Sequence, residues 1–200
     1  MMIYYFLKII LFIPLWLLFP TIRVGHKIPK GKMILVCNHR SNLDIVVLHN
    51  ILWCGPNVLA KKELFDKKLL KPFLKILKAI PVDRDNVGLS TIKQSLSVLK
   101  NDKKLFIFPE GTRSREDNQG FNQIKGGTIM FALRGKSDVL PMYLVRKPKL
   151  FRLNKLIIGQ PISFNEYFDQ KMTPEITEIC GNILKEKLDN LSNYDIKNLQ

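Results

Sequence analysis

Short apolar strands alternate with longer helical patterns along most of this chain. The predicted strands are rich in β-branched and other apolar residues: Lys32–Cys37, Asn57–Ala60, Leu105–Phe108, Asp138–Val145 and Lys155–Gly159. The predicted helices are longer: Ser41–Leu52, Gly88–Lys100, Ile124–Arg134 and Pro174–Leu188. This alternation predicts an α/β fold with a central, mostly parallel sheet flanked by helices. With 200 residues, the chain is long enough for one such domain with its own core.

The first twenty residues are almost entirely apolar and predict a membrane anchor. No side chain between Ile9 and Pro20 is charged, and a helix over the whole segment would be about 30 Å long, close to one hydrocarbon thickness. We expect a hydrophobic helix over residues 1–22, spanning the bilayer or lying in its interface, and a folded domain over residues 23–200. A buried core helix is the alternative. The basic residues that follow favour a cytoplasmic position for the domain: Arg23, Lys27, Lys30 and Lys32.

The chain is strongly basic. Lysine and arginine number 32 against 17 aspartate and glutamate, so the formal net charge is +15. This charge points to nucleic acid, anionic lipid or a phosphorylated substrate. On a helical projection of Lys61–Ile80, the lysines from Lys67 to Lys78 share one arc and the apolar residues share another. The pattern predicts a basic amphipathic helix on an anionic bilayer, bent or divided at Pro72. An ordinary surface helix is the alternative.

The three cysteines are far apart in the sequence. Cys37, Cys54 and Cys180 form no CxxC pair and no cluster with histidine, so neither a disulfide framework nor a metal site is predicted. We expect all three to be buried thiols in a reducing compartment.

Two polar loops follow predicted strands, where the active sites of α/β sheets are usually found. In the first loop, His39 ends a strand and Asp44 follows five residues later, in the first turn of the next helix. The turn can bring the carboxylate onto the imidazole, which fixes the tautomer and leaves the other ring nitrogen as a base. A purely structural His–Asp pair, with Asn38 and Ser41 as helix caps, is the alternative.

The second loop has the composition of a phosphate site. Gly111 allows close backbone approach, Thr112 offers a hydroxyl, and Arg113 offers a planar set of donors that Glu110 can orient. A solvated turn with a charged pair is the alternative. The sequence contains no Walker loop and no G-x-S-x-G motif, so it indicates neither nucleotide hydrolysis nor a serine hydrolase.

Four motifs in order resemble the glycerolipid acyltransferases, and most closely the 1-acyl-glycerol-3-phosphate acyltransferases. They are NHRSNLD (38–44), IPVDR (80–84), FPEGTRS (108–114) and Val139-Leu140-Pro141. The resemblance covers about Lys30–Pro161. One departure is Ala79, where the family often has glycine before the isoleucine of IPVDR.

The resemblance implies roles for individual residues and a glycerol-3-phosphate acyltransferase-like fold. His39 would be the general base and Asp44 would support it. Glu110, Gly111 and Arg113 match the phosphate and glycerol recognition loop, and Arg84 matches a second phosphate-contacting arginine. Lys61 and Lys125 match family positions near the site. Of the two, the resemblance favours Lys125 as the residue that contacts the substrate.

These implications give a specific functional prediction. The enzyme would move an acyl group from acyl-CoA or acyl carrier protein to the free hydroxyl of 1-acyl-glycerol-3-phosphate, with no further cofactor and no metal. It would work on the cytoplasmic face of a membrane, the inner membrane if bacterial, as part of phospholipid biosynthesis. An acyltransferase for another lysolipid is the first alternative. A non-catalytic basic module that binds membrane or nucleic acid is the second, and a nucleic-acid partner is not expected.

Overall fold

A seven-stranded sheet forms the centre of the described part of the chain. The computed structural model describes residues 10, 12–83, 86–111, 121 and 124–197. The strands are β1 (Thr21–Gly25), β2 (Met33–Cys37), β3 (Asn57–Lys61), β4 (Ile80–Val82), β5 (Lys104–Ile107), β6 (Val139–Leu144) and β7 (Asn154–Ile158). Their order in the sheet is β1-β7-β6-β2-β5-β3-β4. The strands from β6 to β4 run parallel, whereas β7 is antiparallel to β6 and carries β1 parallel to itself. The predicted mostly parallel sheet is confirmed.

Helices cover both faces of this sheet. They are α1 (12–18), α2 (Asp44–Ile51), α3 (Lys71–Ile76), α4 (Leu89–Lys100), α5 (Gly126–Gly135) and α6 (Pro174–Lys197), with three 3-10 turns at Lys62–Leu64, Lys68–Leu70 and Asn165–Tyr167. Strand β2 has apolar side chains on both faces of the sheet, and helices bury them on each face. Ile34 and Val36 pack with residues of α4, α5 and α6, whereas Leu35 and Cys37 pack with residues of α2. A strand buried on both faces is expected to be continuously apolar, as β2 is.

The segment predicted as a basic amphipathic helix has a different structure, and the prediction of one helix over Lys61–Ile80 is wrong. Lys61 ends β3 and Ile80 begins β4, and these two strands pair in parallel. Between them lie two 3-10 turns and the six-residue helix α3, which has Pro72 in its first turn. Proline fits a first turn because its missing N–H is not needed there. The left-handed backbone of Lys78 (φ 48°) then turns the chain into β4.

The N-terminal segment is described only in part. Residues 12–18 form α1, and Thr21 and Ile22, the last residues of the predicted anchor helix, belong to β1. Helix α1 lies against the end of α2, since the Asn50 side chain in α2 donates to the Phe12 carbonyl (3.4 Å) and the ring of Trp53, just after α2, is 4.9 Å from the Phe12 ring between centroids. None of the helices that the structure describes combines the length and hydropathy needed to cross a bilayer. Residues 1–9 and 11 lie outside the described residues.

The predicted burial of the cysteines is confirmed for two residues and wrong for the third. Cys37 and Cys180 are buried, in β2 and α6, and both belong to the apolar core. Cys54 is exposed because it follows α2 in the turn that leads towards β3.

Candidate active site

The carboxyl ends of β2 and β5 place the two polar loops side by side. These strands are parallel neighbours, with Val36 opposite Ile107, so both chains leave the sheet at the same edge. The loop after β2 contains His39, and the loop after β5 contains Glu110 and Gly111. The sheet topology therefore brings the two predicted functional loops together at the edge where α/β proteins bind their ligands.

Asn38 fixes the start of the first loop. Its side-chain amide donates to the Leu144 carbonyl (3.0 Å), and its side-chain carbonyl accepts from the Leu144 N–H (2.8 Å). The buried Asn38 side chain thus extends the pairing of β2 with β6 by one step beyond the strand. It does not cap α2, whose N-cap is Leu43. This bridge determines the position from which His39 leaves the sheet.

His39 and Asp44 are in contact, as their spacing suggested. His39 Nδ1 lies 3.1 Å from Asp44 Oδ2, and both side chains are buried. The same Oδ2 accepts the backbone N–H groups of Arg40 (2.6 Å) and Ser41 (2.7 Å). A carboxylate oxygen accepts hydrogen bonds, so Nδ1 carries the hydrogen and Nε2 keeps a lone pair. The arrangement leaves Nε2, which bonds to none of the described residues, able to accept a proton.

Asp44 lies where a negative charge is stabilised. It occupies the first turn of α2, where the helix dipole and the two loop N–H groups both favour the anion. Its second oxygen, Oδ1, is buried without a hydrogen-bond partner among the described residues. Ser41 is tied into the same turn, since its hydroxyl accepts the Leu43 N–H at 3.2 Å. The loop is therefore organised around one carboxylate oxygen.

Phe108, the residue directly after β5, packs against the imidazole ring of His39. Its ring stacks on His39 with centroids 3.9 Å apart and an angle of 18° between planes. Phe106 packs edge-on against Phe108, with centroids 5.0 Å apart. Sequence reasoning included Phe108 in a motif and gave it no role, although its position directly after a strand beside β2 was a signal. The imidazole is fixed by Asp44 at one nitrogen and by Phe108 across its face.

Arg40 is a second residue of the loop to which sequence reasoning assigned no role. Its guanidinium donates to the Val145 carbonyl (3.1 Å) and to the Tyr143 hydroxyl (2.8 Å), and it lies over the Tyr143 ring. These bonds fasten the loop to β6 and the residue that follows it. Arg40 thereby limits the freedom of the backbone after His39, as Asn38 does before it.

Cys37 is close to the site and is not suited to act as a nucleophile. Burial raises the pKa of the Cys37 thiol well above its ordinary value, and the negative charge of Asp44 raises it further. The thiolate is the reactive form of cysteine, so a thiol held protonated is inert. Cys37 is therefore not a candidate nucleophile for this site.

Glu110 and Gly111 form a tight turn after β5. The Gly111 N–H donates to the Phe108 carbonyl (3.1 Å), and the Lys125 N–H donates to the Pro109 carbonyl (2.9 Å). Glu110 is buried, and Gly111 has a left-handed backbone (φ 69°). A Cβ at Gly111 would lie 2.8 Å from the Lys125 side chain. The turn therefore brings three of the predicted site residues together: Glu110, Gly111 and Lys125.

Substitution of Gly111 by alanine is expected to distort this turn. A left-handed backbone costs a residue with a Cβ about 1–2 kcal/mol, and the new methyl would displace Lys125. We expect a raised KM for a phosphate-bearing acceptor and a small fall in Tm. Gly181→Ala is the matched control, because a Cβ there meets nothing within 4 Å. Equal kinetics in the two variants would show that the turn does not contribute to acceptor binding.

The remaining predicted site residues divide into two groups. Lys61 ends β3 and forms an ion pair with Glu63 (3.0 Å), and both side chains are exposed. Arg84, Thr112 and Arg113 lie outside the described residues, so their predicted roles stay predictions. Within the described residues, no group of three histidine, cysteine, aspartate or glutamate side chains could hold a metal ion.

Comparison with known proteins identifies the family. Residues 21–145 match the family model described as Acyltransferase. The chain belongs to the acyltransferase family. The match includes β1 to β6 and both loops of the site.

Curated relatives of this acyltransferase share one description. The 1-acyl-sn-glycerol-3-phosphate acyltransferase of Bacillus subtilis (strain 168) is 34% identical over 174 residues, which cover 79% of this chain and 83% of that protein. The Cocos nucifera protein of the same description is 29% identical over 168 residues, covering 82% of this chain and 54% of its own. The Streptococcus pneumoniae protein is 30% identical over 139 residues, covering 66% and 50%. The chain thus spans about half the length of the latter two relatives.

A solved structure shares the fold of this acyltransferase. The 1-acyl-sn-glycerophosphate (LPA) acyltransferase from Thermotoga maritima has a TM-score of 0.62, with 92% of this chain and 76% of that chain covered. The sequence identity is 23%, so the likeness establishes the architecture of the α/β sheet and its helices.

Proposed function

We propose that this acyltransferase converts 1-acyl-glycerol-3-phosphate into phosphatidic acid. The acyl group comes from the thioester of acyl-CoA or acyl carrier protein and is transferred to the free glycerol hydroxyl. The observation that carries the proposal is the buried His39–Asp44 pair, held by Phe108 beside the Glu110–Gly111 turn. The descriptions of the curated relatives support the choice of acceptor.

His39 acts as the general base in the proposed reaction. Nε2 accepts the hydroxyl proton as the glycerol oxygen attacks the thioester carbonyl carbon, and Asp44 stabilises the imidazolium that forms. The tetrahedral intermediate then collapses, the C–S bond breaks, and the proton on His39 passes to the departing thiolate. The products are an ester and a free thiol. The inert Cys37 thiol is consistent with direct attack and no acyl-enzyme.

The second loop is proposed to bind the acceptor phosphate. Glu110, Gly111, Thr112, Arg113, Arg84, Lys61 and Lys125 are the proposed binding residues. Among the described ones, Gly111 and Lys125 are adjacent at the edge that also holds His39. A phosphate bound there would leave the glycerol backbone to extend towards Nε2. Holding the acceptor hydroxyl next to the thioester in this way raises the reaction rate through proximity and orientation.

Residues 1–22 are proposed to attach the catalytic domain, 23–200, to the cytoplasmic face of a membrane. Helix α1 has exposed apolar residues, including Ile13 and Leu17, and the stretch Ile9–Pro20 around it has no charged side chain. Both the acceptor and the donor carry acyl chains, so an enzyme held at the bilayer meets them where they partition. The donor thioester is a substrate, and the proposed reaction needs no cofactor.

A thiol-release assay with a panel of acceptors tests this proposal. Long-chain acyl-CoA is supplied with 1-acyl-glycerol-3-phosphate, a lysophospholipid with a larger head group, or no acceptor. We expect thiol release that depends on 1-acyl-glycerol-3-phosphate and yields phosphatidic acid. Preference for the other lysophospholipid would reassign the acceptor. No release with acyl-CoA or with acyl carrier protein as donor would overturn the proposed reaction.

A further inference from the structure

A loop and a helix expose apolar side chains beside each other at one edge of the sheet. The loop between β6 and β7 exposes Leu150 (57%), Phe151 (75%) and Leu153 (55%). Helix α1 exposes Ile13 and Leu17 on its outer side. We call these five residues the apolar patch. Single exposed apolar residues are common in soluble proteins, whereas a contiguous group indicates an interaction surface.

Backbone hydrogen bonds join the two parts of the apolar patch. The Phe151 N–H donates to the Leu18 carbonyl (2.7 Å), and the Asn154 N–H donates to the Pro20 carbonyl (2.7 Å). The loop is therefore fastened to the end of α1 and to the residues that lead into β1. These bonds place the exposed side chains of the loop next to the end of α1 that carries the exposed Leu17.

At the tip of the loop, the exposed Phe151 ring stands on a turn with an unfavourable backbone conformation. Phe151 has a left-handed backbone (φ 56°), a conformation that residues with a Cβ rarely adopt. The Arg152 guanidinium donates to the Lys147 carbonyl and so holds the turn closed. A strained turn that presents phenylalanine to the exterior indicates a use for the exposed ring.

The charge around the loop identifies the partner as an anionic surface. The segment from Val145 to Lys155 contains no acidic residue. Its basic residues are Arg146, Lys147, Lys149, Arg152 and Lys155. Arg146, Lys147 and Lys149 are exposed. Apolar side chains surrounded by basic ones match a leaflet with anionic head groups, since the apolar groups enter the hydrocarbon boundary and the cations meet the phosphates.

The loop is also adjacent to the candidate active site. It begins after Val145, whose carbonyl accepts a hydrogen bond from Arg40, the residue after His39. Asn38 binds the backbone of Leu144 one residue earlier. A membrane in contact with the loop therefore lies next to the edge of the sheet where His39 is placed.

We infer that the β6–β7 loop, together with the outer side of α1, inserts into an anionic phospholipid leaflet. This contact is separate from any attachment by residues 1–9, and it sets the active-site edge against the bilayer. Binding by the loop does not depend on the proposed reaction. The benefit to catalysis does rest on the proposed reaction. With the loop in the leaflet, the acceptor reaches His39 while its acyl chain stays in the membrane.

An environment-sensitive fluorophore at position 151 tests the insertion directly. The full chain carries Cys54→Ser, which removes the exposed native thiol, and Phe151→Cys, which places the label. We expect a blue shift on addition of vesicles of phosphatidylcholine with phosphatidylglycerol, and a smaller one with phosphatidylcholine alone. The control is Ile179→Cys on α6, an exposed position across the sheet, which should not shift. An unchanged spectrum at position 151 would overturn the inference.

Vesicle binding by unlabelled variants gives a second measurement. We combine Leu150→Ser, Leu153→Ser and Phe151→Asn, since asparagine tolerates the left-handed backbone. Affinity should fall by about ten-fold for each of the three side chains that fully enters the hydrocarbon, and so by about 10³-fold if all three do. Lys147→Gln and Lys149→Gln should each lower the affinity for anionic vesicles about five-fold. Neither change should lower the affinity for phosphatidylcholine vesicles. Leu69→Ser changes the 3-10 turn before α3. If vesicle binding were lost in that variant and kept in the loop variant, the membrane contact would lie at that turn, which would contradict the inference.

Activity separates this inference from the proposed function. The loop variant should keep its turnover with a short-chain, water-soluble acceptor and lose turnover with an acceptor in vesicles. Equal loss with both acceptors would overturn the membrane role of the loop. Inactivity of the unaltered enzyme with every acceptor would count against the proposed function, while the fluorescence result would still decide the inference.

Discussion

Replacement of His39 by alanine is expected to lower kcat by about 10²–10⁴-fold, the usual contribution of a positioned general base. Nε2 is the ring nitrogen that bonds to none of the described residues, and Asp44 fixes the tautomer through Nδ1. No other described histidine can replace it, because His26 is exposed beyond β1 and His49 lies within α2. Release of thiol from acyl-CoA in the presence of 1-acyl-glycerol-3-phosphate measures the effect.

The His39 result needs a control for folding. His39→Ala removes one stacking contact and one hydrogen bond, so Tm and vesicle binding should stay close to those of the unaltered protein. His26→Ala is the matched variant, since it removes an exposed imidazole at the opposite edge of the sheet. Turnover near the original value in His39→Ala would contradict the assignment of the general base.

Conversion of Asp44 to asparagine is expected to cost about 10²–10⁴-fold in kcat with little change in the acceptor KM. The amide keeps an oxygen that can accept the N–H groups of Arg40 and Ser41, so the loop can retain its shape. The charge that stabilises the imidazolium is lost, and the amide can favour the wrong tautomer of His39. Steady-state kinetics with varied acceptor concentration separate the two parameters.

Asp44→Ala distinguishes the chemical role of Asp44 from its structural role. Alanine leaves two backbone N–H groups of the loop without their acceptor, at about 1–3 kcal/mol for each buried group. We therefore expect Asp44→Ala to lower Tm, whereas Asp44→Asn lowers kcat at a nearly unchanged Tm. If Asp44→Asn kept full turnover, the carboxylate would be a structural anchor of the loop and no part of the catalytic pair.

The strands at the centre of the sheet could be predicted because their burial is expressed in the sequence. β2 and β5 lie between other strands and between two layers of helices, so every residue from Met33 to Cys37 is apolar. The two edge strands, β1 and β4, were not predicted. β4 has three residues and follows a lysine-rich segment whose periodicity resembles a helix, and its pairing with β3 depends on residues distant in the sequence.

The helical prediction for Lys61–Ile80 failed because periodicity ignores tertiary contacts. Leu77 and Ile80 are buried, as predicted for the apolar face, but Leu69 of that face is 94% exposed, and the buried Leu74 lies outside the predicted face. The pairing of Lys61 and Val82 in adjacent strands fixes both ends of the segment, and Pro72 restricts where a helix can begin. The connection is therefore made of short turns, and its lysines do not form one helical face.

Sequence patterns also gave only limited guidance to the surfaces that we propose contact the membrane. Periodicity and composition drew attention to residues 1–22 and to the lysines from 67 to 78. Leu150 and Phe151 lie in a loop with no repeating pattern, so no sequence signal separated them from core residues. Their exposure, and their attachment to the end of α1, became visible with the tertiary structure.

The sequence by itself determined the fold class, the family resemblance and the pairing of His39 with Asp44. These features depend on local order along the chain: an apolar strand, a short turn and the first turn of a helix. The tertiary structure alone decided that Phe108 covers the imidazole, that Arg40 fastens the loop to β6, and that Leu150 and Phe151 face outwards. Each of these contacts joins segments that are far apart in the sequence, and their proximity follows from the strand order of the sheet.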